Sequence, residues 1–245
     1  MEPSSEPPAS PASPASPASP EPPDQWEEEF EARFVATAAI VVAAVLMLVL
    51  PARVANSPRW VIPALAALLG VVLLLGSLRW NDPDDPWHGR LRSVSLLLLA
   101  VMSLGNVVSG ARLVIDLARA QGIRDPATLL LTGGAIWLTN VIVFALWYWE
   151  LDRGGPVTRS RTPWMADKRS CSFLFPQMDN TDYGKIGWRP EFIDYLYFSF
   201  TNGTAFSPTD VMPLSRPAKL EMMLQSGLSI VIIVLVVARA VNILH

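Results

Sequence analysis

The sequence has few of the residues on which metal sites and disulfides depend. It contains one cysteine, Cys171, and two histidines, His88 and His245, among 245 residues. One thiol excludes an intramolecular disulfide and a multi-cysteine metal centre, and neither histidine has a second ligand at metal-binding spacing. We therefore expect neither a metal site nor a cofactor.

Motifs of nucleotide binding and of nucleophilic catalysis are lacking as well. There is no glycine-rich phosphate loop and no G-x-S-x-G elbow, and no nucleophile has an evident partner base. The acidic turn with Asp82, Asp84 and Asp85 lacks the remaining ligands of a calcium loop. The sequence therefore predicts a protein that is not an enzyme.

Lysine is rare, and basic tracts do not occur. The formal net charge is −3, and of the 19 basic residues only Lys168, Lys185 and Lys219 are lysines. Without a basic tract, nucleic acid is not an expected partner. The preference for arginine often accompanies GC-rich coding sequence, so we expect a bacterial source.

Long hydrophobic runs, by contrast, are abundant, since 51% of the residues are hydrophobic and only 17% are charged. Five runs with at most one charge each are about as long as the roughly 20 helical residues that cross a bilayer. They lack the polar face of a soluble helix, so we predict an all-α integral membrane bundle, multi-pass, in the bacterial inner membrane. The runs are Phe34–Leu50, Trp60–Leu78, Val94–Ala111, Leu129–Trp149 and Leu220–Ala238.

The predicted organisation has four parts. Residues 1–25 repeat Pro-Ala-Ser and are expected to be a disordered tail, whose acidic start is unlike a signal peptide. Residues 26–156 form the membrane domain with helices one to four. Residues 157–190 are a polar connector, and residues 191–245 hold a half-helix, a loop and the last transmembrane helix.

The half-helix is predicted from the stretch YLYFSFTNGTAFSPTDVMPLS and the residues just before it. A helix from Phe192 to Phe206 would be roughly 22 Å long, which is too short for a crossing of about 30 Å. Asn202-Gly203 and Pro208 are expected to end it. We therefore predict five transmembrane helices plus a re-entrant half-helix. The alternative is six spans, in which Asp194 and Asp210 would have to lie within the membrane.

This stretch resembles the pore region of tetrameric cation channels, where a half-spanning pore helix, a filter loop, an aspartate and a proline precede the inner helix. The matching residues are Leu196, Tyr197, Ser199, Thr204, Asp210 and Pro213. Ser207-Pro208-Thr209 stand where the potassium-channel pattern has Gly-Tyr-Gly, so a potassium-selective carbonyl filter is not implied.

The resemblance implies a channel-like or transporter-like protein for small cations, working as a homo-oligomer, a tetramer if it is channel-like. The residues that would line the narrow point or bind the ion are Thr204, Ser207, Thr209 and Asp210. In that interpretation the aspartate attracts cations and the hydroxyl groups replace their hydration. The alternative is a non-conducting membrane scaffold or assembly protein, in which the half-helix only packs.

The chain is also similar to a family of bacterial multi-spanning membrane proteins of unknown function. The similarity lies in Tyr197–Phe200, Thr204, Thr209–Val211 and Ala238–Ile243. It implies architecture and membrane location only.

Charge and channel resemblance predict opposite orientations for the connector. It is rich in basic residues, so the positive-inside rule predicts that it is cytoplasmic, whereas a channel-like arrangement places it outside. The basic residues are Arg153, Arg159, Arg161, Lys168, Arg169, Lys185 and Arg189. The six-span alternative would put the connector and both termini inside.

Helix three carries Ser103, Asn106 and Ser109 on one face at three-residue spacing. Such residues most often bond to a neighbouring helix and tighten its packing. The alternative is that they line a water-filled path.

Overall fold

The computed structural model describes residues 25–52, 54–55, 60–79, 87–119, 123, 125–161, 171–179, 188–204 and 211–244. These residues are helical apart from short connections and one two-stranded sheet, which confirms the predicted all-α class. The elements are α1 Gln25–Val49, α2 Val61–Arg79, α3 Trp87–Ala118, α4 Pro126–Leu151, α5 Pro156–Arg161, β1 Phe173–Leu174, α6 Pro176–Asp179, α7 Phe192–Thr204, β2 Met212–Pro213 and α8 Arg216–Leu244.

Among the residues that the structure describes, three helices are long and apolar enough to cross a membrane. They are the segments Gly89–Ala118, Pro126–Gly154 and Arg216–Ile243, which correspond to α3, α4 and α8. The described apolar parts of α1 and α2 are shorter, Val35–Val49 and Val61–Val72. All five predicted runs are therefore helical, but the count of five spans depends on the two shorter helices and stays a prediction.

The start of α4 follows the expected capping chemistry. The Asp125 carboxylate accepts hydrogen bonds from the Thr128 hydroxyl, at 2.6 Å, and from the Thr128 backbone N–H, at 2.7 Å. These bonds hold the pKa of Asp125 below its ordinary value. Pro126 occupies the first turn, where its missing N–H costs nothing, and together these residues fix where α4 begins.

Helix α4 is the centre of the bundle, because α1, α3, α7 and α8 all contact it. The Trp147 indole donates to the Ser103 hydroxyl of α3 at 2.9 Å, and Gly133 lies directly against Val236 of α8. Helix α1 also packs on it. The Ser103 bond agrees with the packing interpretation of the polar face on helix three.

Two apolar clusters mark the two ends of the bundle. One contains Leu98 of α3, Tyr148 of α4 and Phe173 of β1. The other contains Leu50, which follows α1, together with Leu113, Leu129, Ile136, Val236 and Ala240. Hence α3 and α8 begin at the end where α4 terminates, and both run antiparallel to α4.

The end of the bundle where α4 terminates is closed by a small folded layer, which we call the cap; its described residues are 152–161, 171–179 and 211–215. Within it β1 and β2 pair antiparallel, with Phe173 opposite Pro213 and Leu174 opposite Met212. The Leu214 N–H donates to the Ser172 carbonyl at 2.8 Å. The connector was predicted to be polar and without strong periodicity, and this pairing across 40 residues was not foreseen.

The half-helix α7 lies along α4 and stops beside its middle. The Phe192 ring at its start is 5.9 Å from Trp149, and the Phe200 ring near its end is 5.6 Å from Trp137. Met212 and Pro213 of β2 are then back in the cap. The segment that contains α7 therefore begins and ends at the same end of the bundle.

Candidate polar site around the half-helix

Gln225 of α8 is fully buried and joins α7 to α4 and α8. Its side-chain amide nitrogen donates to the Ser199 hydroxyl at 2.6 Å and to the Ser199 carbonyl at 2.8 Å. Its side-chain oxygen accepts from the Tyr148 hydroxyl at 2.5 Å and from the Asn202 amide at 2.8 Å. Both polar ends of the glutamine are thus satisfied without water.

The face of α7 that meets Gln225 is built for close approach. The Ser199 hydroxyl donates to the Val141 carbonyl of α4 at 2.7 Å. A Cβ on Gly203 would lie 3.2 Å from Val141, 3.3 Å from Gln225 and 3.4 Å from Ser229. Because Ser199 and Gly203 are four residues apart, they share one side of the helix, and their small side chains let three helices meet there.

A second buried amide extends the network toward the middle of the bundle. The Asn140 side-chain nitrogen donates to the Ser229 hydroxyl at 3.1 Å and to the Gln225 carbonyl at 3.5 Å. Asn140, Gln225 and Ser229 are all essentially inaccessible. In an apolar surrounding such bonds hold helices in one register, since the alternative is an unsatisfied polar group.

The C-terminal carbonyls of α7 find partners from the two neighbouring helices. The last carbonyls of a helix lack intrahelical donors. Here the Trp137 indole of α4 donates to the Gly203 carbonyl at 3.2 Å, and the Ser226 hydroxyl of α8 donates to the Asn202 carbonyl at 3.2 Å. The hydroxyl of Thr204 bonds back to the Thr201 carbonyl at 3.0 Å. Three of the last four carbonyls of α7 thereby have donors, although the helix end lies between two apolar helices.

The other end of α7 is held in the cap by Asp152, which is completely buried. Its Oδ2 accepts from the Tyr195 hydroxyl of α7 at 2.7 Å and from the Arg153 Nε at 2.9 Å. Its Oδ1 accepts from the Ser172 N–H at 2.6 Å and, at 3.4 Å, from the Phe173 N–H. One carboxylate therefore joins α4, β1 and α7.

Two arginines complete this anchor. Arg153 has a φ of 54°, a conformation that costs a bulky residue free energy, and this conformation accompanies its ion pair with Asp152. The Arg159 guanidinium donates to the carbonyls of Trp149 and Asp152 at 2.6 and 2.7 Å. It also lies 5.4 Å from the centre of the Tyr195 ring, a cation–π distance.

The outward face of α7 is apolar. Ile193, Tyr197 and Phe200 are 56%, 64% and 46% exposed. The polar side chains Ser199 and Asn202 bond to α4 and α8 instead. The open surface of α7 is therefore suited to lipid or to another protein surface rather than to water.

Of the four residues predicted to line a narrow point, the structure describes one. Thr204 is the last residue of α7 and is half-buried beside Gly203. Ser207, Thr209 and Asp210 lie outside the described residues, as does the predicted tail except for Gln25. In the sequence these three residues follow within six positions of Thr204.

Sequence reasoning missed most of the buried polar groups around α7. Gln225 and Asp152, which bond to Ser199 and Tyr195 of α7, received no role. A signal existed in Gln225 and Ser229, because they are four residues apart and interrupt an otherwise apolar run. Within the described residues, no group of three histidine, cysteine or acidic side chains comes together to hold a metal ion.

No family model, no curated protein and no solved structure matches the chain. The two resemblances drawn from the sequence therefore stay predictions.

Proposed function

We propose that this chain is a bacterial inner-membrane protein with five spans, α1 to α4 and α8, and that α7 is a re-entrant half-helix. The observation that carries the proposal is the path of α7 along α4. The helix starts beside Trp149 of α4 and ends beside Trp137 of α4, and the strand that follows it is back in the cap. A chain that crossed the membrane between residues 191 and 213 would leave β1 and β2 on opposite sides.

The satisfied end of α7 supports this placement. Non-helical backbone at membrane depth is tolerated only where protein or water shields it. The Trp137 and Ser226 side chains supply donors to the last carbonyls of α7, which is what a helix ending inside an apolar layer requires. A helix that ended in water would not need them.

We further propose that the protein passes small cations as a homo-oligomer, in a channel-like or transporter-like manner. The unit of α4, half-helix α7 and α8 has the order of a channel pore region, and Met212 and Pro213 are back on the side where α7 begins. The C-terminal end of a helix carries partial negative charge, and α7 directs that end toward the middle of the bundle. Thr204 is the last residue of that helix, and Ser207, Thr209 and Asp210 come next in the sequence. Their side-chain oxygens suit a small cation.

The charges favour a cytoplasmic cap. Basic residues at the cap end far outnumber those at the other end, where the loops and terminus carry Arg53, Arg59, Arg119, Arg124 and Arg239. By the positive-inside rule the cap then faces the cytoplasm. The half-helix of this protein would enter from the cytoplasmic side, opposite to the orientation that the channel resemblance implies.

The test is cation flux by the full chain in liposomes, with thallium entry as the readout. We expect the wild type to conduct and Asp210→Asn to lower the rate by about tenfold, the effect of roughly 1.4 kcal/mol at the narrow point. Asp116→Asn, in α3, is the matched control and should conduct like the wild type. Flux no greater than in empty vesicles would reject cation passage while leaving the membrane architecture untouched.

One observation favours a second candidate, a non-conducting scaffold or assembly protein. Within a single chain, Gln225 forms hydrogen bonds with both Ser199 and Asn202, and the exposed face of α7 is apolar. Such a half-helix suits packing as well as conduction. Oligomers that assemble through α7 but pass no ions would support this candidate.

A further inference from the structure

Three carboxylates at the cap end of the bundle differ in how their charge is compensated. Asp152 accepts bonds from four donors. Glu150 has the Arg92 Nε at 3.8 Å. In Glu221 of α8, by contrast, Oε2 is inaccessible to solvent and has no hydrogen-bond partner within the described residues. Glu221 is therefore the exception among the three.

The position of Glu221 on α8 explains why one of its oxygens is shielded. Ala218 and Gln225, which lie three residues before it and four after it, are both buried, so Glu221 projects from the face of α8 that meets the bundle. The next residue, Met222, accepts a bond from Asn202 of α7 through its carbonyl, at 3.2 Å. Glu221 thus lies at the contact between α7 and α8.

The charged groups nearby do not neutralise Glu221. Arg92 of α3 pairs with Glu150 of α4, and the Tyr148 hydroxyl of α4 donates a hydrogen bond to Gln225. On α7, Asp194 accepts from the Glu191 N–H, and Tyr195 donates to Asp152. In the cap, Arg153 and Arg159 bond to Asp152, and Lys219 of α8 is exposed.

An ionised carboxylate with a shielded, donor-free oxygen is disfavoured, because burial removes its hydration and nothing replaces it. The neutral acid has no such cost of charge. We propose that Glu221 is a proton-binding site at the cap end of the α7–α8 contact, neutral when that contact is closed. The proton comes from hydronium in the water at the cap and returns to water when the acid ionises, so no other reactant is needed.

Exchange with water is open to Glu221 because the residue is only half-buried, unlike Glu150 and Asp152. Ionisation would draw water toward the oxygen that is now dry. Met222 and Gln225, which both accept hydrogen bonds from Asn202 of α7, lie one and four residues after Glu221. A negative charge on Glu221 therefore weakens the contact between α8 and α7. Protonation of Glu221 therefore links pH to the packing of α7 against α8. This proposal does not depend on whether the protein passes cations.

The first test is an infrared pH titration of the full chain in lipid nanodiscs. We expect the wild type to show the carbonyl band of a protonated carboxylic acid at neutral pH, and Glu221→Gln to show a smaller band, since the buried Glu150 can contribute to the same signal. Asp116→Asn, which changes an acid at the other end of the bundle, should leave that band in place. Identical spectra of the wild type and Glu221→Gln from acid to neutral pH would overturn the proposal.

The second test is thermal unfolding of the same proteins across pH. A group that is held neutral by the fold contributes stability that is lost as pH rises through its folded pKa. The wild-type Tm should therefore fall as the acid ionises, while Glu221→Gln, which mimics the neutral form, should lose less. Parallel Tm curves for the two proteins would contradict a proton at Glu221, even if the infrared band were too weak to assign.

Discussion

The Tyr195 hydroxyl donates a 2.7 Å hydrogen bond to Oδ2 of Asp152, and this contact ties the first turn of α7 to the end of α4. Both residues are wholly buried. The same carboxylate receives the Ser172 N–H, so the bond also joins α7 to the strand that pairs with β2. The entry and the exit of the half-helix are therefore held by one group.

Removing this anchor should destabilise the protein, and the loss of Asp152 should cost more than the loss of the Tyr195 hydroxyl. Tyr195→Phe takes away one bond to a charged acceptor, worth about 1.5–3 kcal/mol. Asp152→Ala breaks the buried ion pair with Arg153 and should cost about 3–5 kcal/mol. Denaturant unfolding in detergent gives both values. If Asp152→Ala were no worse than Tyr195→Phe, the carboxylate would not be the common anchor.

The close approach of α7 to α4 and α8 should make Gly203 intolerant of a side chain. A Cβ there lies 3.2–3.4 Å from three neighbours, and overpacking of this kind typically costs about 1–3 kcal/mol. Gly227→Ala is the control, since a Cβ at that position meets nothing within 4 Å. The control should gain up to about 1 kcal/mol, because alanine is the better helix former. Equal effects at the two positions would show that α7 is not held this tightly.

Helices α4 and α8 should be coupled through Gly133 and Val236. A Cβ on Gly133 would lie 2.6 Å from a Val236 methyl group, so Gly133→Ala should destabilise the protein, and Val236→Ala in the same chain should recover part of the loss. We expect a coupling energy of about 0.5–3 kcal/mol from the double-mutant cycle. Gly134→Ala, one residue away with no neighbour within 4 Å, should show no coupling to Val236.

The sequence is sufficient to predict the helices and the short length of α7, because runs of apolar residues act locally. Asn202 and Gly203 were expected to end α7, but both are helical. The end of α7 at Thr204 is two residues from the predicted end at Phe206. The partners of α7 could not be predicted in the same way. Asp152 and Tyr195 are 43 residues apart in the chain, and β1 pairs with β2 across 40 residues, so only the packing of the helices brings them together.

The partners within the network also depend on register. Gln225 and Ser229 are recognisable as polar residues in an apolar helix, but the sequence does not show which side chains they meet. Ser199 meets Gln225 because α7 ends beside Trp137, whereas Asn140 meets Ser229 through the register of α8 against α4. A shift by one helical turn would have given Gln225 different partners with the same sequence pattern.

The re-entrant path of the chain predicts that residues before and after α7 lie on the same side of the membrane. Glu191 and Lys219 are exposed at the two flanks, so cysteines at these positions should react from one side, in intact cells or in inverted vesicles. Ala127, exposed at the start of α4, is the reference for the other side. The native thiol of Cys171 is only 8% exposed. We therefore expect Cys171→Ser to be a suitable cysteine-free protein into which the single cysteines are introduced. If Glu191→Cys and Lys219→Cys were labelled from opposite sides, the protein would have six spans and no half-helix. A chain that enters the membrane and returns predicts that both cysteines are labelled from one side and Ala127→Cys from the other.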